Sequence, residues 1–378
     1  MDEKKKTEWK RYIGIFIVFL VEMIGYIIAL KYINFFENNF TLIKELTVIL
    51  GVLLGMQVAK TLNVIIHEAG HLVFGMLSGY QFSSFRVFSL MWIKKKGKIK
   101  LKKLKIAGTA GQCLMVPPDI KNNKIPYVLY NLGGGIMNAI VSTIFLMIFF
   151  ICIENKILSI LILFFVVEGY KTVIENLIPL HIGDVDNDGY NVIALKKNPE
   201  AIKAFWTQMK IVEQNAKGIR LKDMPEEWFY IPSDNSMKNN MIATIGVFTC
   251  NKLIDEQKID EADKLMERLL EIDSEIAGLH RKLLICDRIY IELIRDNRPE
   301  KIKEMLTEEQ IKFMKSMKNY PSVLRTEYAL SLLYEKNTTK AEEIKNQFEE
   351  CVKNYPYSND IISERELMEL LKKKVIDS

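Results

Sequence analysis

Apolar and polar positions divide this chain into two unlike halves. Up to about residue 195, long apolar runs alternate with short polar breaks; from Pro199 onward Lys and Glu recur at helical spacing. Four runs stand out: Tyr12 to Ile33, broken only by Glu22 and Lys31; Leu42 to Gly79; Ile125 to Ile153; and Ile157 to about Ile178. Each reaches the roughly 20 residues that a helix needs to cross a bilayer. The second is longer than one crossing requires, so its helix is expected to tilt or protrude. The first follows the basic segment MDEKKKTEWKR and has no small-residue cleavage site after it, which favours a retained helix over a signal peptide.

Between the second and third runs, residues 80–110 alternate, carry β-branched and aromatic side chains and turn at Lys96-Gly97, the pattern of a β-hairpin. Its eight lysines between Lys94 and Lys105, with no acid among them, suit the surface of an anionic membrane, and an exposed edge strand there could hold an extended substrate. Gly108–Ile120 reads as a punctuated loop. The C-terminal half reads as helix-turn-helix pairs of loosely tetratricopeptide-like pattern, with Ala329 and Ala341 at packing positions and Pro356 closing the last pair. The expected fold is therefore mainly α: a polytopic membrane bundle of about four spans with a β-hairpin, then a soluble domain of α-helical hairpins. The expected divisions are a transmembrane domain at 1–197, a connecting region at 198–236 and a cytoplasmic helical domain at 237–378.

Composition sharpens this picture only in places. The chain is 49% hydrophobic and 26% charged, an average that hides the split between the halves. Its net charge of +5 comes without the aromatic-interleaved Arg clusters that read nucleic acid. Five scattered cysteines form neither a CxxC pair nor a disulfide framework. The N-terminus and the 80–124 segment are rich in lysine and the other two intervening loops are nearly free of it, so four spans put both termini and the hairpin in the cytoplasm. The expected location is an integral position in a bacterial cell membrane.

The chemistry lies in His67-Glu68-Ala69-Gly70-His71. Two histidines one helical turn apart can share a metal ion, and a glutamate beside the first can serve as general base, the HExxH arrangement of zinc peptidases. Ionisable side chains inside a membrane-length apolar run are costly to place and point to function. Catalytic zinc takes three protein ligands, and position 77 is Leu where an extended motif would supply a third His. The remaining candidates are His181, Asp184, Asp186 and Asp188. Asp184-x-Asp186-x-Asp188-Gly189 also fits the start of a calcium loop, but its twelfth position is Leu195 rather than Glu. Asn138, one turn after Gly133-Gly134-Gly135, is either an interhelical hydrogen bonder or a group near the reacting carbonyl.

Three segments together resemble the site-2 protease family of intramembrane zinc metalloproteases: HEAGH, the LGGGIMNA stretch, and Asn176 to Gly189 with Asn176, Pro179 and Asp188-Gly189. The resemblance covers roughly residues 40–195 and does not extend to the C-terminal half. It implies Zn2+ held by His67, His71 and an aspartate. The family's usual spacing falls on Asp184, which Val185 follows, whereas Asp188 is followed by the family's Gly, and Asp188 is the expected ligand. It further implies Glu68 and Asn138 as catalytic residues, and a membrane-spanning polypeptide or signal-peptide remnant as substrate. The helical half would bind a protein partner. From a different class, the alternative is a membrane scaffold with a structural or inactive zinc site.

Overall fold

A computed structural model of the chain describes residues 42–179, 181–182 and 185–377, with Phe16, Leu20, Met23 and Ile27 as single helical positions. The expected first span otherwise lies outside the described residues, as does Asp184. The described residues are mostly helical, with a small antiparallel sheet. They form two compact units, one from 1–80 and 126–193, the other from 81–125 and 194–378.

The first unit is built on three helices: α1 (Leu42–Leu77), α2 (Tyr127–Ile151) and α3 (Lys156–Leu177). Leu50–Leu77, Tyr127–Ile151 and Lys156–Leu177 are each long and apolar enough to cross a membrane. Their outer faces are mostly apolar, with Leu50, Leu54, Val58, Ile144, Met147 and Leu161 all exposed. A turn at 152–155 joins α2 to α3, and the Asn155 side chain caps α3 by accepting from the Leu158 N–H at 3.1 Å.

The three glycines of α2 face three different neighbours. A Cβ on Gly133 would lie 2.8 Å from the Gly70 carbonyl oxygen, and one on Gly70 2.4 Å from that of Gly133, so α1 and α2 meet backbone to backbone. Gly134 faces the rings of His67 and His71, and Gly135 faces Leu177 on α3. Late in α3, Glu168 and Lys171 are buried and paired at 3.3 Å, as polar groups inside an apolar bundle require. A short ladder of β5 (His181–Ile182) with β6 (Val185–Asp186) then leads into α4 (Asp188–Leu195).

In the second unit, the lysine-rich segment forms β2 (Leu90–Lys95) and β3 (Lys98–Lys103), joined at Lys96-Gly97 with φ of 47° and 77°. Positive φ at both positions is what a two-residue hairpin turn demands. The hairpin belongs to a larger antiparallel sheet of order β3-β2-β1-β4, with β1 at Gln81–Val87 and β4 at Gly111–Val116. The Gly108–Ile120 segment is thus not all loop. Cys113 and Met115 alternate into the interior, and Pro117-Pro118 ends the strand.

The sheet packs on the C-terminal helices rather than standing apart: Met91, Ile93 and Leu104 share a cluster with Ala216, Tyr355, Tyr357 and Ile361. The compact units therefore divide the chain differently from the expected cut near residue 197, because this apolar face ties 81–125 to the C-terminal half. The expected connecting region at 198–236 begins with a helix, α5 (Pro199–Lys217), capped by Asn198 and ended by Gly218 at φ 90°. From α6 (Asn240–Asp255) to α13 (Ser358–Asp377) the unit is an array of helices. Arg325 lies at its centre, paired with Asp287 and, at 3.1 Å, Glu364, with its guanidinium 4.3 Å from the Tyr290 ring centroid.

Candidate metal centre

His67 and His71 project from one face of α1 because they are four residues apart, and both rings are buried with Glu68 among them. Helix α2 fixes each ring through its Nδ1. His71 Nδ1 donates to the Tyr130 carbonyl oxygen at 2.8 Å, and His67 Nδ1 donates to Asn138 Oδ1 at 3.1 Å. A carbonyl can only accept, so each Nδ1 carries its proton and each Nε2 keeps its lone pair. The two Nε2 atoms lie 3.1 Å apart.

Asp188, the first residue of α4, completes the group. Its Oδ2 stands 3.2 Å from His67 Nε2 and 3.3 Å from His71 Nε2, and it has no hydrogen-bond donor. Two imidazole nitrogens and a carboxylate oxygen thus converge on one point, a donor set that calls for a cation. Among the described residues, these three side chains form the cluster able to hold a metal ion.

The residues flanking Asp188 hold it in place. Asn187 Oδ1 accepts from the Tyr190 N–H and caps α4, while its Nδ2 donates to the carbonyls of Glu175 and Ile178 at the end of α3. Gly189 meets the same end: a Cβ there would lie 2.6 Å from the Leu177 carbonyl oxygen. Close approach, rather than an unusual φ, is why glycine follows Asp188. Asn176 spends its amide on the Thr172 carbonyl at 2.9 Å, and Asp186 is not part of the convergent group.

Gly134 leaves the space beside the nitrogens open. A Cβ there would lie 2.6 Å from both Nε2 atoms. Tyr80 stacks on Tyr130 at 4.7 Å between centroids and closes this end of the helix pair.

Of the two roles expected for Asn138, the structure shows the interhelical hydrogen bonder. It is fully buried, its Oδ1 is taken by His67, and its Nδ2 donates to Asn63 O at 3.1 Å and Asn63 Oδ1 at 2.9 Å. With its amide engaged at both ends it acts on His67 rather than on a substrate. Asn63 and Asn187 were not singled out in the sequence. Asn63 had a signal there, since it precedes His67 by one turn and extends the polar stripe 63-67-71 along an apolar helix.

No family model, curated protein or solved structure matches this chain.

Proposed function

We propose that the chain is an intramembrane zinc metalloprotease of the site-2 protease type. It would hydrolyse peptide bonds in or near the membrane-spanning segment of a polypeptide or signal-peptide remnant. The observation that carries this is the convergence of Asp188 with His67 and His71, the two histidines and buried Glu68 lying on a helix of membrane length. Zinc suits the set. Ligands about 2.0 Å from a tetrahedral ion stand roughly 3.3 Å from one another, and the three atoms here are separated by 3.1, 3.2 and 3.3 Å. When bound, zinc supplies a water of lowered pKa and polarises the scissile carbonyl.

The protein's own groups do the rest. Glu68 takes the proton as water oxygen bonds to the carbonyl carbon, holds it, and delivers it to the nitrogen as the C–N bond breaks. Tyr130 and Asn138 keep both imidazoles turned with Nε2 towards the site. The substrate must arrive unwound, because a helical peptide bond is shielded by its own hydrogen bonds. In this proposal the run 12–33 is a further span, both termini lie in the cytoplasm of a bacterium, and the helical second unit, tetratricopeptide-like in pattern, receives a protein partner.

The test is made on membranes from cells producing the chain or its Glu68→Gln variant. New peptide termini within membrane-spanning segments are quantified by mass spectrometry. The unaltered chain should generate such termini, a chelator should stop them and added zinc restore them, and Glu68→Gln should reduce them by about 100-fold or more. Equal termini from both proteins would refute proteolysis.

A further inference from the structure

The two metal-binding rings are locked in unequal ways. His71 donates to a backbone carbonyl, which cannot rotate. His67 donates to the side-chain amide of Asn138, which can flip, and a flip would present an N–H₂ group to the Nδ1 proton. Something must hold that amide in one sense if the His67 tautomer is to be fixed.

Asn63 is placed to do so. Asn138 Nδ2 faces two acceptors on Asn63, its carbonyl oxygen and its Oδ1, and with Nδ2 held there Oδ1 is left towards His67. Asn63 is itself oriented by backbone, since its Nδ2 donates to the Ala59 carbonyl at 3.0 Å and the Phe165 carbonyl at 3.1 Å. Orientation thus passes from rigid carbonyls on α1 and α3, through two buried amides, to His67 Nδ1. Gly169 on α3 makes room for this arrangement: a Cβ there would lie 2.9 Å from Asn63 Oδ1 and 1.8 Å from Ser142 Oγ.

We infer that Asn63 is a positioning residue of the metal centre, setting the tautomer of His67 through Asn138; this rests on the metal-site assignment above. It touches neither metal nor substrate. Its effect belongs in the affinity of the site, where loss of an outer partner weakens binding by about 10–100-fold.

The experiment is a chelator competition for Zn2+ on the full-length chain in detergent, using Asn63→Leu, Asn138→Leu and the double variant. Melting of each metal-free protein is followed alongside to establish that it folds. Asn63→Leu should weaken zinc binding by about 10-fold or more. Because Asn63 acts through Asn138, the double variant should bind no more weakly than Asn138→Leu alone. Asn63→Asp should also weaken binding, since its second oxygen would face the carbonyls of Ala59 and Phe165. Unchanged affinity in Asn63→Leu, or losses that simply add, would overturn the inference while leaving the metal site intact. Failure of the unaltered chain to bind zinc would overturn the metal-site assignment and the inference together.

Discussion

At the scale of single residues, the centre depends as much on what is small as on what ligates. Gly134 is the sharpest case, because a methyl group there would crowd both Nε2 atoms. Gly134→Ala is expected to weaken metal binding by at least about 100-fold, beyond the loss of an outer hydrogen-bond partner; chelator competition on the purified chain measures it. The members of the convergent group were legible in the sequence. HEAGH states its geometry through a four-residue spacing, and Asp188 is marked by the glycine behind it. The role of Gly134 was not, because it depends on which face of α2 meets α1; Asn63 was marked only by its place in the polar stripe 63-67-71, which does not reveal its partner Asn138. Asn138 was visible as a polar residue in an apolar run, but only its partners show that it serves His67.

Elements come next. The three described membrane-length helices follow directly from apolar length, and each begins and ends within a few residues of its run. Their packing depends on backbone contact between Gly70 and Gly133. Gly70→Ala should therefore lower stability by roughly 1–3 kcal/mol, the range for forced overpacking, seen as a lower melting temperature in detergent. Strand β4 was hidden because only six residues alternate between a glycine-rich turn and two prolines. Helix α5 had its signals in full, with an Asn cap, Pro at the first turn and Gly at the end, yet it falls within the expected connecting region. Where α13 meets the sheet, burial pushes the Asp360 carboxyl up to about 7 from 3.8, near Lys95, Asn215, Tyr355 and Asp255. The unfolded chain then ionises first as pH rises, so this group's contribution to stability is present at low pH and lost between about pH 4 and 7. Asp360→Asn should flatten that part of the pH dependence in urea unfolding of the full chain; an unchanged slope would show that Asp360 is not its source.

For the whole molecule, chain path and membrane crossing constrain each other. Residues 81–125 and 194–378 form one compact unit, and α2 and α3 lie between them in the chain. If both helices cross a membrane, two crossings return the chain to the side it left, as a single unit requires. This agrees with the lysine distribution but does not depend on it. An epitope inserted at the Lys96-Gly97 turn and one at the C-terminus should therefore be shielded or labelled together in sealed vesicles; opposite protection would break the topology. The apolar runs marked the three described helices of membrane length. The sheet's attachment to the C-terminal helices was not legible, because Met91, Ile93 and Tyr355 lie far apart in sequence and meet only in the fold. The claim beneath the whole account is that His67, His71 and Asp188 hold one zinc ion. Metal content of the purified full-length chain, by mass spectrometry, tests it most directly. One zinc per chain is expected, retained in Glu68→Gln and lost in Asp188→Ala; full occupancy in Asp188→Ala, or no zinc in the unaltered chain, would contradict it.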